Sequence, residues 1–347
     1  MNAGRLWTIV TLELTQRVRS VAWYVLLGVF AAILLGVTAL SFLAFSWMSA
    51  FGTGAGGAIY SVIVYVVLLL VVLVSPTVAG NAVNGDRDQA TLAPVQVTLA
   101  TTGEIVLGKL IAAWISGLAF VAVAVPFLAV ATIAGGLSPA ALVVSLLVLV
   151  VEIGVFAAIG VGLSALVARP LFSIASTYLV VAAFVIGTLI VFGLAGAATR
   201  TEVTSHSRYL NDDAAGREDS CTAWEEYTYA VPRFDRVWWV LAANPFVIIA
   251  DATPTAYDRQ GNPTDLFGQI ASGVRMAQVP PEADTWSDGC QGGPESYPSV
   301  REQTDGLLPS WFVGLGVQLL VAVLLMWGGW ARTRTPARTL PPGTRVA

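Results

Sequence analysis

Residues 86–109 read DRDQATLAPVQVTLATTGEIVLGK, and they separate two long apolar runs that contain no charged residue. Residues 61–80 read SVIVYVVLLLVVLVSPTVAG, and residues 110–130 read LIAAWISGLAFVAVAVPFLAV. Each run has the roughly 20 apolar residues that a helix needs to cross a bilayer. A plain loop between two spans is shorter and more polar than residues 86–109. The sequence therefore predicts a structured element at the membrane surface that a partner can hold.

The composition indicates an integral membrane protein. Of the 347 residues, 56% are hydrophobic and only 12% are charged, whereas a soluble domain carries about 25% charged residues. Six segments are long and apolar enough to cross a bilayer, and because the first lacks a signal-peptide cleavage site we expect it to be retained. These segments are residues 21–47, 57–83, 104–133, 140–168, 170–197 and 309–331. The predicted fold class is an all-α polytopic membrane protein with six transmembrane helices.

The positions of the basic residues predict the orientation of these spans. With both termini in the cytoplasm, ten of the eighteen Lys and Arg residues fall inside, and the short outer loops SAFGTGAGG and AGGLSPA contain none. The opposite orientation places the tail RTRTPARTLPPGTR outside. We therefore expect a multi-pass protein of the cell (cytoplasmic) membrane with both termini in the cytoplasm.

The long hydrophilic segment 198–308 then forms an external domain. Residues 1–197 before it contain spans one to five, and residues 309–347 after it contain span six and a basic tail. It carries eight Arg and seventeen Asp or Glu, a net charge of −9. This acidity is typical of a solvated surface and gives no indication of a nucleic-acid partner. Cys221 and Cys290 both lie here, where disulfides persist. We expect them to pair, closing a loop worth about 4 kcal/mol; the alternative is two free thiols.

One part of the external segment is apolar. Residues 236–253, RVWWVLAANPFVIIADAT, are broken by Asn244-Pro245 and are too short between charges to cross a bilayer. Two interpretations stay open, an interfacial or re-entrant helix pair that caps the outer mouth and a buried core helix of the external domain.

Two further amphipathic helices are predicted at the cytoplasmic surface. Residues 4–20 present Leu6, Val10 and Leu14 at helical spacing, which indicates either an interfacial helix on the inner leaflet or a plain lead-in to span one. Within the opening stretch, Leu92, Val95 and Leu99 form a stripe on a short helix near residues 91–100, with Pro94 in its first turn. Thr101 to Glu104 then fit the capping box that begins span three.

The opening stretch resembles, without gaps, the signature E-R-E-x-G-T-L-E-x-L-L-x-T-P-x-x-x-x-E-I-V-L-G-K of ATP-binding-cassette (ABC) export permeases of the second type. Ala90, Ala93 and Leu99 replace the Gly, Glu and Pro of the family pattern. The resemblance extends to the six-span layout, the amphipathic lead-in and residues 244–252, NPFVIIADA. The positions that match in kind and register are Asp86, Arg87, Asp88, Thr91, Leu92, Thr98, Glu104 and residues 105–109.

The resemblance implies a permease subunit whose cytoplasmic coupling helix docks on a separate ATP-binding subunit, and which pairs with a second permease copy, alike or different. ATP and Mg²⁺ then belong to the partner, and this chain needs no cofactor of its own. The alternatives are an ATP-independent channel or secondary carrier, or a membrane-anchored external binding protein. The residues expected to act in ATPase coupling are Asp86, Arg87, Asp88, Thr91, Leu92, Val95, Leu99 and Glu104.

The chemistry of an enzyme is missing from the sequence. There is no P-loop motif to hold ATP phosphates, and the single histidine, His206, excludes a zinc site built on several histidines. We therefore expect no catalytic or metal-binding residue. Glu152 is the one acidic residue near the midplane of a span, where an ionisable side chain indicates function by default. It lines a substrate pathway or makes a structural hydrogen bond to Ser116, Asn81 or another chain.

The predicted topology can be tested by cysteine labelling. A cysteine replacing Ser138 should react with an impermeant thiol reagent from outside, and one replacing Thr102 should not, because the membrane separates the two positions. Labelling in the reverse pattern would contradict the orientation with both termini inside.

Overall fold

The body of the protein is a bundle of six long apolar helices. The computed structural model describes residues 2–49, 56–88, 101–135, 137–209, 221–290 and 298–333. Within them, six helices are long and apolar enough to cross a membrane, so by length and composition the chain is a multi-pass membrane protein, as predicted. Span one is α2 (Val21–Ser49), span two is α3 (Gly56–Ala79), span three is α5 (Thr102–Gly135) and span four is α6 (Pro139–Leu166).

Span five is interrupted and span six is continuous. Span five consists of α7 (Pro170–Ala182), a π-helical turn (Ala183–Gly187) and α8 (Thr188–Ala198). Span six is α13 (Trp311–Thr333). Two short helices complete one end of the bundle, α1 (Ala3–Val18) before span one and α4 (Asn84–Asp88) after span two. We call this end, where α1 and the last residues of span six lie, the terminal end.

Spans two and four form the centre of the bundle, since they are the most buried of the six. Span six packs along span four at very short range. A Cβ atom on Gly162 would lie 2.7 Å from the carbonyl carbon of Leu325, and one on Gly329 would lie 2.7 Å from the Cβ of Ala165. Glycine is required at both positions because the two backbones are in contact, the usual way in which membrane helices approach closely.

A pair of short helices, α9 (Trp238–Ala242) and α10 (Pro245–Ala252), enters the bundle from the opposite end. The corner between them contacts Gln318, whose Nε2 donates to the carbonyl of Ala243 at 3.0 Å. Gln318 lies seven residues inside span six, which is about 10 Å along a helix. This depth agrees with the re-entrant interpretation of residues 236–253 and not with a core helix of a separate external domain.

Asn244 attaches the same corner to span five. Its Nδ2 donates to the carbonyl of Val185 and to the hydroxyl of Thr188, both at 2.9 Å. Val185 lies in the π-helical turn, where the shift in hydrogen-bond register changes which carbonyls are paired within the helix. The side chain of Asn244 also caps α10 by accepting from the backbone N–H of Phe246.

Asp251 joins three elements where span six begins. Its carboxylate accepts from the backbone N–H and hydroxyl of Ser310 and from the N–H of Trp311. It also accepts from Arg275 Nε at 2.6 Å. Arg275 belongs to α11 (Leu266–Met276), and the Asp251 side chain is fully buried. One carboxylate therefore caps span six and fixes α10 and α11 to it.

The predicted all-α class is corrected to a mostly helical one, because the segment between spans five and six contains a small sheet. Its strands are β1 (Arg200–Arg208), β2 (Glu225–Pro232) and β3 (Asp284–Asp288), in the order β2-β1-β3, with β2 antiparallel and β3 parallel to β1. The predicted disulfide between Cys221 and Cys290 is present and closes the sheet between the start of β2 and the end of β3. A short helix, α12 (Val300–Thr304), leads from there to span six.

Removing the Asp251 carboxylate should destabilise the protein strongly. Asp251→Ala leaves Arg275 and the first N–H groups of span six without their acceptor, and breaking a buried ion pair in this way costs about 3 kcal/mol or more. The unfolding midpoint of the purified protein should fall accordingly. Asp258→Ala is the control, since Asp258 is exposed and accepts only from the N–H groups of its own turn. Equal effects of the two substitutions would contradict the anchoring role of Asp251.

Candidate functional site

The predicted coupling helix lies outside the described residues, and its two flanks lie within them. Residues 89–100, which include Thr91, Leu92, Val95 and Leu99, are not described. The flank before them is α4, which contains Asp86, Arg87 and Asp88. The flank after them is Thr101 and the first turns of span three. The candidate site is therefore built from the groups that hold these two flanks.

Lys109 is the centre of a buried ion-pair cluster at the terminal end. Its Nζ lies 2.7 Å from an oxygen of Asp86 in α4 and also donates to Glu13 of α1. Only 2% of Lys109 is exposed. A buried ammonium group is costly unless carboxylates neutralise it and accept its hydrogen bonds. Lys109 therefore joins three elements, α1, α4 and span three, through charge.

Arg17 adds a second cation to this cluster. Its Nη2 donates to the carbonyl of Val78 near the end of span two, at 3.2 Å. Burial lowers the pKa of the Arg17 guanidinium, and the nearby Glu13 carboxylate acts in the opposite direction. In this cluster Glu13 therefore bonds Lys109, and Arg17 bonds span two.

Glu104 holds the other flank. The N–H of Thr101 donates to one Glu104 oxygen at 2.8 Å, and the Thr101 hydroxyl accepts from the N–H of Glu104 at 3.3 Å. These two bonds confirm the predicted capping box. The second Glu104 oxygen accepts from the backbone N–H of Asn2, a contact that the sequence did not predict. Glu104 therefore ties the start of span three to the start of α1.

Helix α1 lies along the beginning of span three between these polar contacts. A Cβ atom on Gly108 would lie 2.8 Å from Cγ2 of Ile9, so α1 packs directly on the backbone there. Val10, on the same helix, is completely buried. Because α1 binds Glu104 near its first residue and Lys109 near its last turn, both flanks of residues 89–100 are attached to one helix.

Glu152 and Gln318 form a second polar site, inside the bundle. Glu152 lies near the middle of span four and is fully buried, and Gln318 of span six is its polar neighbour. Neither carboxyl oxygen has a hydrogen-bond donor. The proposed partner Ser116 instead donates to the carbonyl of Ala112, and Asn81 makes no bond to Glu152. Sequence reasoning missed Gln318, although it is the only amide side chain in span six.

An apolar groove runs from the terminal end toward this second site. It has a volume of about 1130 Å³ and lies between spans three, four and six. Its polar lining residues are Thr101 and Thr102, at its mouth. At its inner end it reaches Val151 and Leu319, the immediate neighbours of Glu152 and Gln318.

Neutralising Lys109 should release α1 from the bundle. Lys109→Met removes the buried ammonium that Glu13 and Asp86 share, and removing one partner of a buried pair costs about 3 kcal/mol. Amide hydrogen exchange in residues 3–18 should accelerate by roughly a hundredfold, because local opening sets the exchange rate. Arg19→Met is the control, since Arg19 is exposed at the end of α1. Unchanged exchange in Lys109→Met would show that the cluster does not hold α1.

Compared with models of known protein families and with curated proteins, the sequence shows no match. What the chain does is therefore inferred from its own geometry. Two features carry that inference, the charged cluster that clamps both flanks of residues 89–100 and the buried polar pair between spans four and six.

Proposed function

We propose that this chain is the membrane-spanning permease subunit of an ATP-driven exporter, working with a separate ATP-binding subunit and a second permease copy. The observation that carries the proposal is the attachment of both flanks of residues 89–100 to α1, through Lys109 on one side and Glu104 on the other. A segment that only connects two spans has no need of a buried charged clamp. A segment that receives a mechanical load does.

The clamp suggests how a load passes to the spans. A partner that grips residues 91–100 displaces α4 and Thr101 together, because separating them from α1 breaks the ion pairs of Lys109 and the hydrogen bond from Asn2 to Glu104. Asp86 and Lys109 lie at the ends of spans two and three, which pack along each other. Movement of the gripped segment therefore reorients both spans as one unit. ATP binding and hydrolysis in the partner favour alternate arrangements through their different contacts with this segment.

The same proposal divides the work between the two kinds of subunit. The partner binds ATP and Mg²⁺, and this chain, which has no P-loop motif, supplies the transmembrane path. The terminal end of the bundle is the cytoplasmic end in this proposal, and the sheet lies outside. We assign Glu152 to the pathway. Since it is fully buried, spans four and six must separate for a substrate to reach it.

A secondary carrier is the second candidate, and one observation favours it. Buried ionisable groups near the midplane are typical of carriers that couple transport to ions, and Glu152 with Gln318 forms such a site. The charged clamp around residues 89–100 has no role in a carrier of this kind. The exporter accounts for both features, and for this reason it is the function proposed.

A charge placed on the predicted stripe should uncouple the exporter without unfolding it. Burying one unpaired carboxylate in a protein groove costs several kcal/mol, and about 4 kcal/mol weakens association roughly a thousandfold. Val95→Asp should therefore give a membrane-inserted protein that no longer co-purifies with an ATP-binding subunit and no longer stimulates its ATP hydrolysis.

Gln96→Asp is the matched control, because it adds the same charge about 100° around the predicted helix. It should leave association close to that of the unmodified chain. If both substitutions act alike, the assigned face of the helix is wrong. If no ATP-binding subunit can be isolated with the unmodified chain, the exporter proposal fails and the carrier becomes the better account.

A further inference from the structure

Three buried oxygen atoms without a hydrogen-bond donor lie between spans four and six. They are both carboxyl oxygens of Glu152 and the amide oxygen of Gln318. Both side chains are completely buried, with 0% exposure. Buried polar atoms in folded proteins are nearly always paired. Three acceptors without a partner on two neighbouring buried side chains form an incomplete site.

The packing of the two spans keeps these oxygens together. Gly162 contacts Leu325 and Gly329 contacts Ala165, so span four and span six run side by side in one register. This register places Glu152 and Gln318 at the same level.

No charged group of the surrounding elements neutralises Glu152 within the described residues. Span two has no charged residue between Gly56 and Ala79, and its titratable groups are Tyr60 and Tyr65. The charged residues of the other elements packed near span four either have hydrogen-bond or ion-pair partners at the two ends of the bundle or lie in the last turn of span six. They are Glu104 and Lys109 in span three, Asp251 in α10 and Arg332 in span six.

We propose that Glu152 and Gln318 bind one positive charge, a proton or an alkali-metal cation, inside the bundle. Carboxylate and amide oxygens are hard ligands that suit such a charge. An ionised carboxylate alone among apolar side chains is unfavourable, and the bound charge neutralises it. A proton bridges the carboxyl and amide oxygens, and an alkali cation is coordinated by the same three atoms.

The site is connected to the re-entrant corner through the other half of the Gln318 amide. Gln318 Oε1 has no partner, and its Nε2 donates to the carbonyl of Ala243 at 3.0 Å. The next residue, Asn244, bonds Val185 and Thr188 of span five. When the bound charge leaves, the ionised carboxylate competes with the carbonyl of Ala243 for the two donors of the Gln318 NH₂ group, and the bond to Ala243 weakens. Occupancy of the site thus controls how firmly spans five and six hold the corner.

The apolar groove supplies a route for the charge. It starts at Thr101 and Thr102 and ends at Val151 and Leu319, one residue from each member of the pair. Glu152 and Gln318 do not line the groove themselves, so the charge has to pass between spans four and six from the end of the groove to the site. This role is separate from the proposed ATP coupling, since it needs neither residues 89–100 nor a partner subunit.

The test is hydrogen exchange of the full chain in lipid nanodiscs, without any ATP-binding subunit, read in residues 238–252. If the charge is a proton, raising the pH should accelerate exchange there by roughly threefold to tenfold beyond the base-catalysed rise that every amide shows, the effect of one lost hydrogen bond. Glu152→Gln at the same pH is the reference and should lack the acceleration, because it cannot ionise. If the charge is an alkali cation, replacing Na⁺ and K⁺ with choline at constant pH should produce the same acceleration.

Two further variants complete the test. Gln318→Leu should exchange fast in residues 238–252 under every condition, because the bond to Ala243 is absent whether or not the site is filled. Infrared difference spectra should show a neutral carboxylic-acid band that Glu152→Gln removes, in the proton case alone. The proposal is overturned if the unmodified chain and Glu152→Gln respond identically to pH and to cation replacement.

Discussion

The ammonium group of Lys109, buried between the carboxylates of Glu13 and Asp86, is the interaction on which the terminal end of the molecule depends. In water such pairs contribute little, because salt and solvent screen them. Here the ammonium is almost completely buried, so each partner is needed to keep the others neutralised. Helix α1, the end of span two and the beginning of span three consequently behave as one body, with residues 89–100 attached at both ends.

The opposite end of the bundle is organised by polar contacts of a different kind. Asp251 accepts the first N–H groups of span six, and Asn244 occupies a carbonyl of the π-helical turn in span five. Asp251 accepts from N–H groups that have no partner within the helix because they lie in its first turn. Asn244 donates to a carbonyl in the π turn, where the regular hydrogen-bond pattern of the helix is interrupted. The polar groups of the turn between α9 and α10 therefore have hydrogen-bond partners, although this helix pair lies among apolar spans.

Between these two ends, the bundle is held by apolar packing and by backbone contact at glycine. Span four is central, and it carries Glu152, the one acidic residue of the bundle interior in the described part of the chain. A group of this type lowers stability unless it binds something. Glu152 lies beside Gln318, whose amide bonds the corner between α9 and α10, and this contact connects the middle of the bundle with the end opposite the terminal end. The charged clamp and the buried pair thus lie at different depths and act on different spans.

The sequence by itself determined the number and limits of the spans, because twenty apolar residues in a row have few alternatives to a membrane helix. It also determined the capping box at Thr101 and Glu104 and the disulfide of Cys221 with Cys290, since the first is a local pattern and the second involves the only two cysteines. Only the tertiary structure decided that Lys109 bonds Glu13, that Gln318 faces Glu152 and that Asn244 enters the bundle. These pairs are separated by 56 to 166 residues. Hydrophobic periodicity fixes which face of a helix is buried, and it contains no information about which distant side chain that face will meet.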